Sequence, residues 1–175
     1  ITYYKDQLYL TKIKTNRVFK VNMDGESQLL AGTGQTKITE GPALQAAFSA
    51  PNGIGVDATT GELYINNVNG KWTIPEASSM EISKIKLLTI SDLLSYHLDK
   101  NDLEAARQAF AAYRADPFNA KEELATPLSI LAWQYMTKRN IQAAILLFTI
   151  NQETYPKRWQ ADFNLGEVYK IIGPV

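Results

Sequence analysis

Ser83 and Lys86 are spaced as Ser-x-x-Lys, the pair around which some serine hydrolases build their active site. In those enzymes a Lys-Thr-Gly element completes the site. This chain contains no Lys-Thr-Gly, and Ser83 follows a stretch of polar and charged residues. We therefore expect Ser83 to lie at a solvated helix entry, and we predict no catalytic residue.

His97 and the loop Gly32-Thr33-Gly34 are the other groups of a type that catalysis or phosphate binding uses. His97 is the only histidine, so a Ser-His-Asp relay would have to be built around it. Its place in the helical pattern instead predicts a ring packed between helices. The loop lacks the Gly-Lys-Ser/Thr of phosphate-binding loops and is interpreted as a turn, because glycine tolerates positive φ. The sequence predicts no bound cofactor.

Asn52 and Asp57 are the candidate metal ligands, since both carry side-chain oxygens and they flank a short predicted strand. A calcium ion takes about six to eight oxygen ligands, some of them charged. Two side chains, of which one is charged, fall short of that set. We interpret both as turn residues and predict no metal site.

Composition narrows the range of partners. The 175 residues carry 18 basic and 18 acidic side chains, so no overall electrostatic field attracts nucleic acid, and we expect none as a partner.

Cysteine is absent, which excludes disulfides and thiolate sites and leaves the cellular compartment open. No run approaches the roughly 18 apolar residues of a membrane span. The chain opens at Ile1 without a signal-like segment, which predicts an internal piece of a longer protein.

Apolar residues alternate with polar ones through the first part of the chain, which predicts short β-strands. The expected strands cover residues 6–11, 17–22, 27–31, 54–56 and 63–65. Asp24-Gly25 is typical of a tight hairpin turn between two of them. The segment Gln7–Thr11 has the same pattern as Glu62–Asn66, which indicates one strand occurring twice.

The order of these segments resembles the NHL repeat, which forms one blade of a β-propeller. The resemblance lies in the loop Ala31–Gly34, the strand Pro51–Asp57 and the strand Gly61–Asn66. It implies NHL-like blades over residues 1–75. Because a propeller needs roughly four or more blades of about 40 to 50 residues, these blades would be incomplete, with the others upstream of Ile1.

The segment Pro51-Asn52-Gly53 is also similar to gluconolactonase-like propellers, in which an Asn at this place helps to hold a divalent cation. Asn66 stands where those enzymes carry an Asp. This similarity keeps open an alternative function, in which the chain is a fragment of a metal-dependent propeller lactonase.

The apolar spacing changes from two to three and four after Pro75, which predicts a linker over 76–82 and a helical domain over 83–175. Three positions recur at the roughly 34-residue period of a tetratricopeptide repeat: Leu131, Ala132 and Tyr135, then Leu165, Gly166 and Tyr169. The predicted fold is an α+β multidomain protein, in which a partial β-propeller with antiparallel blades precedes an antiparallel α-helical tetratricopeptide-like array.

The helical part also resembles the tail that follows the catalytic domain in many bacterial serine hydrolases of the β-lactamase class. The resemblance lies in the segments 143–148, 151–156 and 164–169. It implies a periplasmic or secreted bacterial protein. It also keeps open a second alternative, a fragment of a serine hydrolase whose active site lies outside this segment.

Helical repeat arrays bind peptides in a concave groove, lined by residues off the packing stripe. The residues predicted to line it are Ser129, Trp133, Met136, Lys157, Arg158, Phe163, Glu167 and Lys170. The apolar members would hold an anchor and the cations an acidic or carboxylate end. The preferred function is a non-catalytic binding or scaffolding module for a protein or peptide, through this groove or the propeller face. The competing interpretation is that Trp133 and Phe163 pack on the propeller or on missing helices; the oligomeric state is left open.

Overall fold

The computed structural model describes residues 1–69 and 79–173. The chain is an α+β protein with two small antiparallel sheets and five α-helices. It divides into two compact units, Ile1–Leu87 and Leu88–Val175. The first unit contains the sheets and the second contains the helices.

The first sheet is an antiparallel meander of four strands in the order β1-β2-β3-β4. Its strands are β1 (Thr2–Tyr4), β2 (Gln7–Lys12), β3 (Arg17–Asn22) and β4 (Ser27–Ala31). The turn between β3 and β4 is held by Asn22, whose side-chain oxygen accepts hydrogen bonds from the backbone N–H groups of Asp24 and Glu26. Gly25 lies in this turn at φ +86, where a side chain would be strained.

The second sheet has three antiparallel strands in the order β5-β6-β7. They are β5 (Gly53–Val56), β6 (Glu62–Asn69) and β7 (Ser79–Lys86). The two sheets of this unit share one apolar core, formed by Tyr9, Val18, Ala31, Phe48, Leu63, Ile65 and Ile85. β7 lies where the sequence pattern placed part of the linker 76–82 and the start of the helical domain, and residues 70–78 are outside the described part of the chain.

The predicted propeller blades are wrong, because the described residues form two small sheets and no blade. The strands that were expected to be equivalent face their core with opposite sides. In β2 the tyrosine Tyr9 is buried, whereas in β6 Tyr64 is exposed and its neighbours Leu63 and Ile65 are buried. The shared alternation therefore reflects two half-buried strands and does not reflect a structural repeat.

Five α-helices form the second unit: α1 (Ile90–Leu98), α2 (Leu103–Ala115), α3 (Ala125–Thr137), α4 (Ile141–Thr154) and α5 (Trp159–Ile172). α1 starts with a reciprocal capping box, in which Thr89 accepts from the Asp92 N–H and Asp92 accepts from the Thr89 N–H. α2 and α4 are capped by Asp102 and Asn140. Within the described ranges, no helix is both long and apolar enough to cross a membrane.

The helices enclose one apolar core in which α4 is central. Phe148 and Tyr135 are fully buried in this core. Leu94, Leu98 and Phe110 reach the same core from α1 and α2.

The predicted tetratricopeptide-like array is wrong as well, since the described helices do not form a repeat array. Positions expected to be equivalent differ in burial, since Tyr135 is 1% exposed and Tyr169 is 48% exposed. His97 of α1, which the repeat pattern aligns with these two tyrosines, is half-buried against Tyr96. The helices that carry these positions also differ in length, with nine residues in α1 and fourteen in α5. A recurring sequence pattern therefore does not place these residues in equivalent packing environments.

Replacing Phe148 with Ala should lower the free energy of unfolding by about 3 to 5 kcal/mol, because it removes a fully buried aromatic ring from the helical core. Glu153→Ala on the same helix is the matched control. Glu153 forms a half-exposed ion pair with Arg107 and should cost at most about 1 kcal/mol. Urea denaturation followed by circular dichroism measures the free energy of unfolding of both variants. Equal losses would contradict the assignment of Phe148 to the buried face of α4 and of Glu153 to its exposed face.

Tyr135 joins α3 to the end of α1, since its hydroxyl donates a hydrogen bond of 2.6 Å to the carboxylate of Asp99. Burial, together with this hydrogen bond, raises the pKa of Tyr135 from 10.0 to about 12. The folded state thus favours the neutral phenol. The stabilisation that the neutral phenol of Tyr135 gives to the folded state is complete below about pH 10 and is lost as the pH rises towards about 12.

We expect the stability difference between the natural chain and Tyr135→Phe to shrink over this pH window. The Phe variant lacks the titrating hydroxyl, so the comparison cancels most of the effect of other groups that titrate there. Urea denaturation at a series of pH values between 8 and 12 measures it. A difference that stays constant over the series would show that the hydroxyl does not hold this proton more tightly in the folded state.

Candidate functional site

A cleft of about 470 Å³ lies in the helical unit between α3 and α5. Residues of one face of α3 form one wall, and the first half of α5 forms the other. Asn151 of α4 also lines it. The spacing of Ser129, Ile130 and Trp133 along α3 explains the first wall, because residues three and four apart share a helix face.

Three aromatic side chains dominate the cleft. Trp133 is 37% exposed and packs edge-to-face on the buried Phe148, with ring centroids 5.3 Å apart. On the facing wall, Trp159 and Phe163 are one helical turn apart and contact each other edge-to-face at 6.0 Å. They remain 67% and 55% exposed. The cleft therefore combines one anchored ring with two rings that only partly cover each other.

Asn151 supplies the buried polar group of the cleft and is 2% exposed. Its side-chain nitrogen donates hydrogen bonds of 2.9 Å to the carbonyl oxygen of Ala125 and to the hydroxyl oxygen of Ser129. The hydroxyl of Tyr155, one turn further along, accepts a hydrogen bond from the backbone N–H of Leu124. The end of α4 thus fixes the first turn of α3, which carries part of the cleft wall.

The charged residue at the rim of the cleft, Arg158, is paired with a carboxylate. Arg158 lines the cleft, but its guanidinium donates to the carboxylate of Glu123 at 2.6 Å and lies over the ring of Tyr155. None of the described residues that line the cleft carries a carboxylate. The cleft is therefore apolar, with amide and hydroxyl groups and one cation that already has a partner.

Ser129, Trp133, Arg158 and Phe163 of the predicted groove line this cleft together. The other four predicted residues are not among its lining residues. Met136 packs against the helical core, and the Lys170 ammonium pairs with the carboxylate of Glu167 at 2.5 Å. Lys157 is exposed and precedes Arg158 on the turn before α5.

Sequence reasoning missed Asn151, Ile130 and Trp159 as lining residues. Trp159 could have been predicted from the sequence, because it lies four residues before Phe163 and so shares its helix face. No sequence pattern indicated Asn151, because it is followed directly by the polar residues Gln152 and Glu153 of the same helix and does not stand out from them.

The candidate metal ligands lie at the two ends of β5. Asn52 is exposed, and its backbone bonds to β2 and β6. The Asp57 carboxylate accepts from the N–H of Thr59 at 2.8 Å, and this bond lowers the pKa of Asp57. Across the described ranges, no three His, Cys, Asp or Glu side chains cluster as a metal site would require.

The groups considered for catalysis have structural contacts of their own. Ser83 lies within β7 and its hydroxyl accepts a hydrogen bond of 2.8 Å from Asn67 of β6, so it lies on a strand rather than at a helix entry. His97 lies in the last turn of α1, with its ring edge-on to Tyr96.

No protein-family model, no curated protein and no solved structure matches this chain. The geometry of the cleft is therefore the basis for interpreting its role.

The cleft residues should differ in their importance for stability. We expect Trp159→Ala and Phe163→Ala each to change the free energy of unfolding by less than about 1 kcal/mol, because both rings are largely exposed. Trp133→Ala should cost about 1 to 3 kcal/mol, because it loses the contact with Phe148. Urea denaturation of the three variants measures this order. A loss above about 3 kcal/mol for Trp159 or Phe163 would make them core residues.

Proposed function

We propose that this chain is a non-catalytic binding module that recognises a peptide, or an exposed segment of a partner protein, in the cleft between α3 and α5. The observation that carries the proposal is the concave aromatic surface of Trp133, Trp159 and Phe163, of which the last two are more than half exposed. A few residues carry most of the energy of a protein interface, and tryptophan is frequent among them.

The size of the cleft favours a short anchor. Its volume of about 470 Å³ falls in the range of about 300 to 1,000 Å³ that is typical of ligand pockets. A protein–protein interface of standard size instead buries about 1,600 Å² over a broader surface. We therefore infer that one or two side chains of the partner enter the cleft.

The charges of the cleft favour a neutral anchor. Arg158 is already paired with Glu123, so an acidic group of the partner would compete with an existing ion pair. An exposed pair of this kind contributes little affinity and affects mainly the association rate. Covering the rings of Trp159 and Phe163 supplies the main driving force, since burying the exposed part of each ring contributes on the order of 1 to 2 kcal/mol.

The proposal is tested by selecting peptides from a random library displayed on phage against the immobilised full chain. The selected peptides are then synthesised and titrated by calorimetry. We expect enrichment of sequences with an aromatic or large apolar residue. Replacing both Trp159 and Phe163 with Ala should weaken their binding at least about tenfold.

Tyr169→Ala is the matched control, because Tyr169 is an exposed aromatic residue of the same helix that does not line the cleft. It should leave the affinity unchanged. The proposal is overturned if no peptide is enriched, or if the double variant binds the selected peptides as tightly as the natural chain.

A further inference from the structure

The first sheet is apolar on both of its faces. Tyr9 and Val18 lie on the side of the core, and the residues that alternate with them along β2 and β3 lie on the opposite side. The register of the strands brings six large apolar side chains together on that opposite side, which we call the outer face: Tyr3, Leu8, Leu10, Phe19, Val21 and Leu29. An antiparallel sheet with one face in water usually carries polar residues there. The outer face is instead typical of a sheet that is covered on both sides.

The outer face belongs to neither apolar core of the described chain. None of its six residues is among those that form these cores or pack against them. Tyr3 is 54% exposed and Leu29 37%, while the other four are half-buried. With four strands of up to six residues, one face of this sheet measures about 19 by 20 Å. Contiguous exposed apolar surfaces of a few hundred Å² mark interaction sites on soluble proteins.

The two ends of the outer face carry opposite charges. At one end, Lys12 of β2 and Arg17 of β3 lie directly opposite each other. Like charges in this position are destabilising, and no described carboxylate pairs with either cation. At the other end, Asp6 accepts a hydrogen bond of 2.6 Å from the hydroxyl of Tyr3, and Asp24 lies in the turn between β3 and β4. The outer face is therefore basic at one end and acidic at the other.

The remaining charges near these ends do not cancel this polarity. Lys14 lies in the turn between β2 and β3 and adds to the basic end. At the acidic end, the ammonium of Lys5 lies over the ring of Tyr4, which packs against the core. The carboxylate of Glu26 accepts a hydrogen bond from Asn22, which also lies on the core side of the sheet.

We propose that a second copy of this chain packs on the outer face, sheet against sheet, with the strands of the two copies antiparallel. A two-fold axis across the strands places the basic end of each sheet opposite the acidic end of the other, with Lys12 of one copy near Asp6 of the second. Facing sheets pack about 10 Å apart with their strands within about 30° of each other, so the apolar side chains interdigitate. The inference concerns the unit Ile1–Leu87 and is independent of the peptide binding proposed for the helical unit.

Other occupants fit the outer face less well. With the strands of two copies parallel, ends of like charge would meet and repel each other. An anionic membrane surface would attract the basic end and repel the acidic end. Antiparallel packing of two copies satisfies both ends at once, and it uses the same surface on each copy, as a two-fold dimer requires.

The size of the outer face predicts a weak dimer. One face offers on the order of 400 Å², about half of the roughly 800 Å² that each partner buries in an interface of standard size. We therefore expect a dissociation constant of about 10 to 500 μM.

Sedimentation equilibrium of the full chain between about 10 μM and 1 mM tests the inference. The average mass should rise from the 19.6 kDa of one chain towards twice that value. Leu29→Lys should weaken the association at least about tenfold, because it places a cation within the apolar interface. Ile82→Lys is the matched control, since Ile82 is an exposed residue on the edge strand of the second sheet. It should leave the association unchanged.

A charge swap tests the antiparallel arrangement. Lys12→Glu and Asp6→Lys should each weaken the dimer at least about threefold at low ionic strength, because each brings like charges together. The double variant restores opposite charges and should recover the affinity of the natural chain. Lysine is compatible with position 6, since Lys5 beside it has a similar left-handed conformation, with φ 47 against φ 56.

Thermal unfolding verifies the fold of each variant, and the charge swap decides the inference if Leu29→Lys fails to fold. A mass that stays at 19.6 kDa over the whole range overturns the inference. A dimer that Leu29→Lys leaves intact, or that Ile82→Lys weakens equally, also overturns it, because another surface then forms the contact. A double charge variant as weak as the single ones contradicts the antiparallel packing.

Discussion

The burial of α4 is the constraint on which the helical unit depends. Its buried side chains point in several directions around the helix: Ala143, Ala144, Leu147, Phe148, Ile150 and Asn151. A helix that is apolar on most sides must be enclosed by neighbours, and α2, α3 and α5 all pack against it. Since α3 and α5 both use α4 as their support, the space between their outer faces becomes a cleft that Asn151 of α4 also lines.

Asn151 links the stability of this arrangement to its proposed function. Its nitrogen holds the first turn of α3 through Ala125 and Ser129, which positions the wall that continues to Trp133. An apolar residue at this place would remove the link between the end of α4 and the first turn of α3.

Sequence periodicity predicted most elements but not how they pack. The strands and helices follow from spacings of two and of three to four, because these record which residues face a core. β7 escaped prediction because Met80 and Ile82 lie on its exposed face, so its apolar pattern did not mark a buried side. The prediction of a helical repeat was wrong for a related reason. Tyr135 and Tyr169 share a sequence pattern, but Tyr135 is buried in the structure and Tyr169 is exposed. The cleft could be predicted in part, from the aromatic residues of α3 and α5. The contacts of Asn151 with α3 depend on distances that no sequence pattern carries.

The central claim is that the chain binds its partner between α3 and α5. Two-dimensional ¹⁵N–¹H NMR of the full chain, titrated with acetyl-Gly-Gly-Trp-Gly-Gly-amide, tests it most directly. Binding in the cleft should shift the side-chain amide signal of Asn151 and the indole N–H signals of Trp133 and Trp159 more than any signal of the unit Ile1–Leu87. Shifts concentrated in that first unit, with the Asn151 amide unchanged, would contradict the claim.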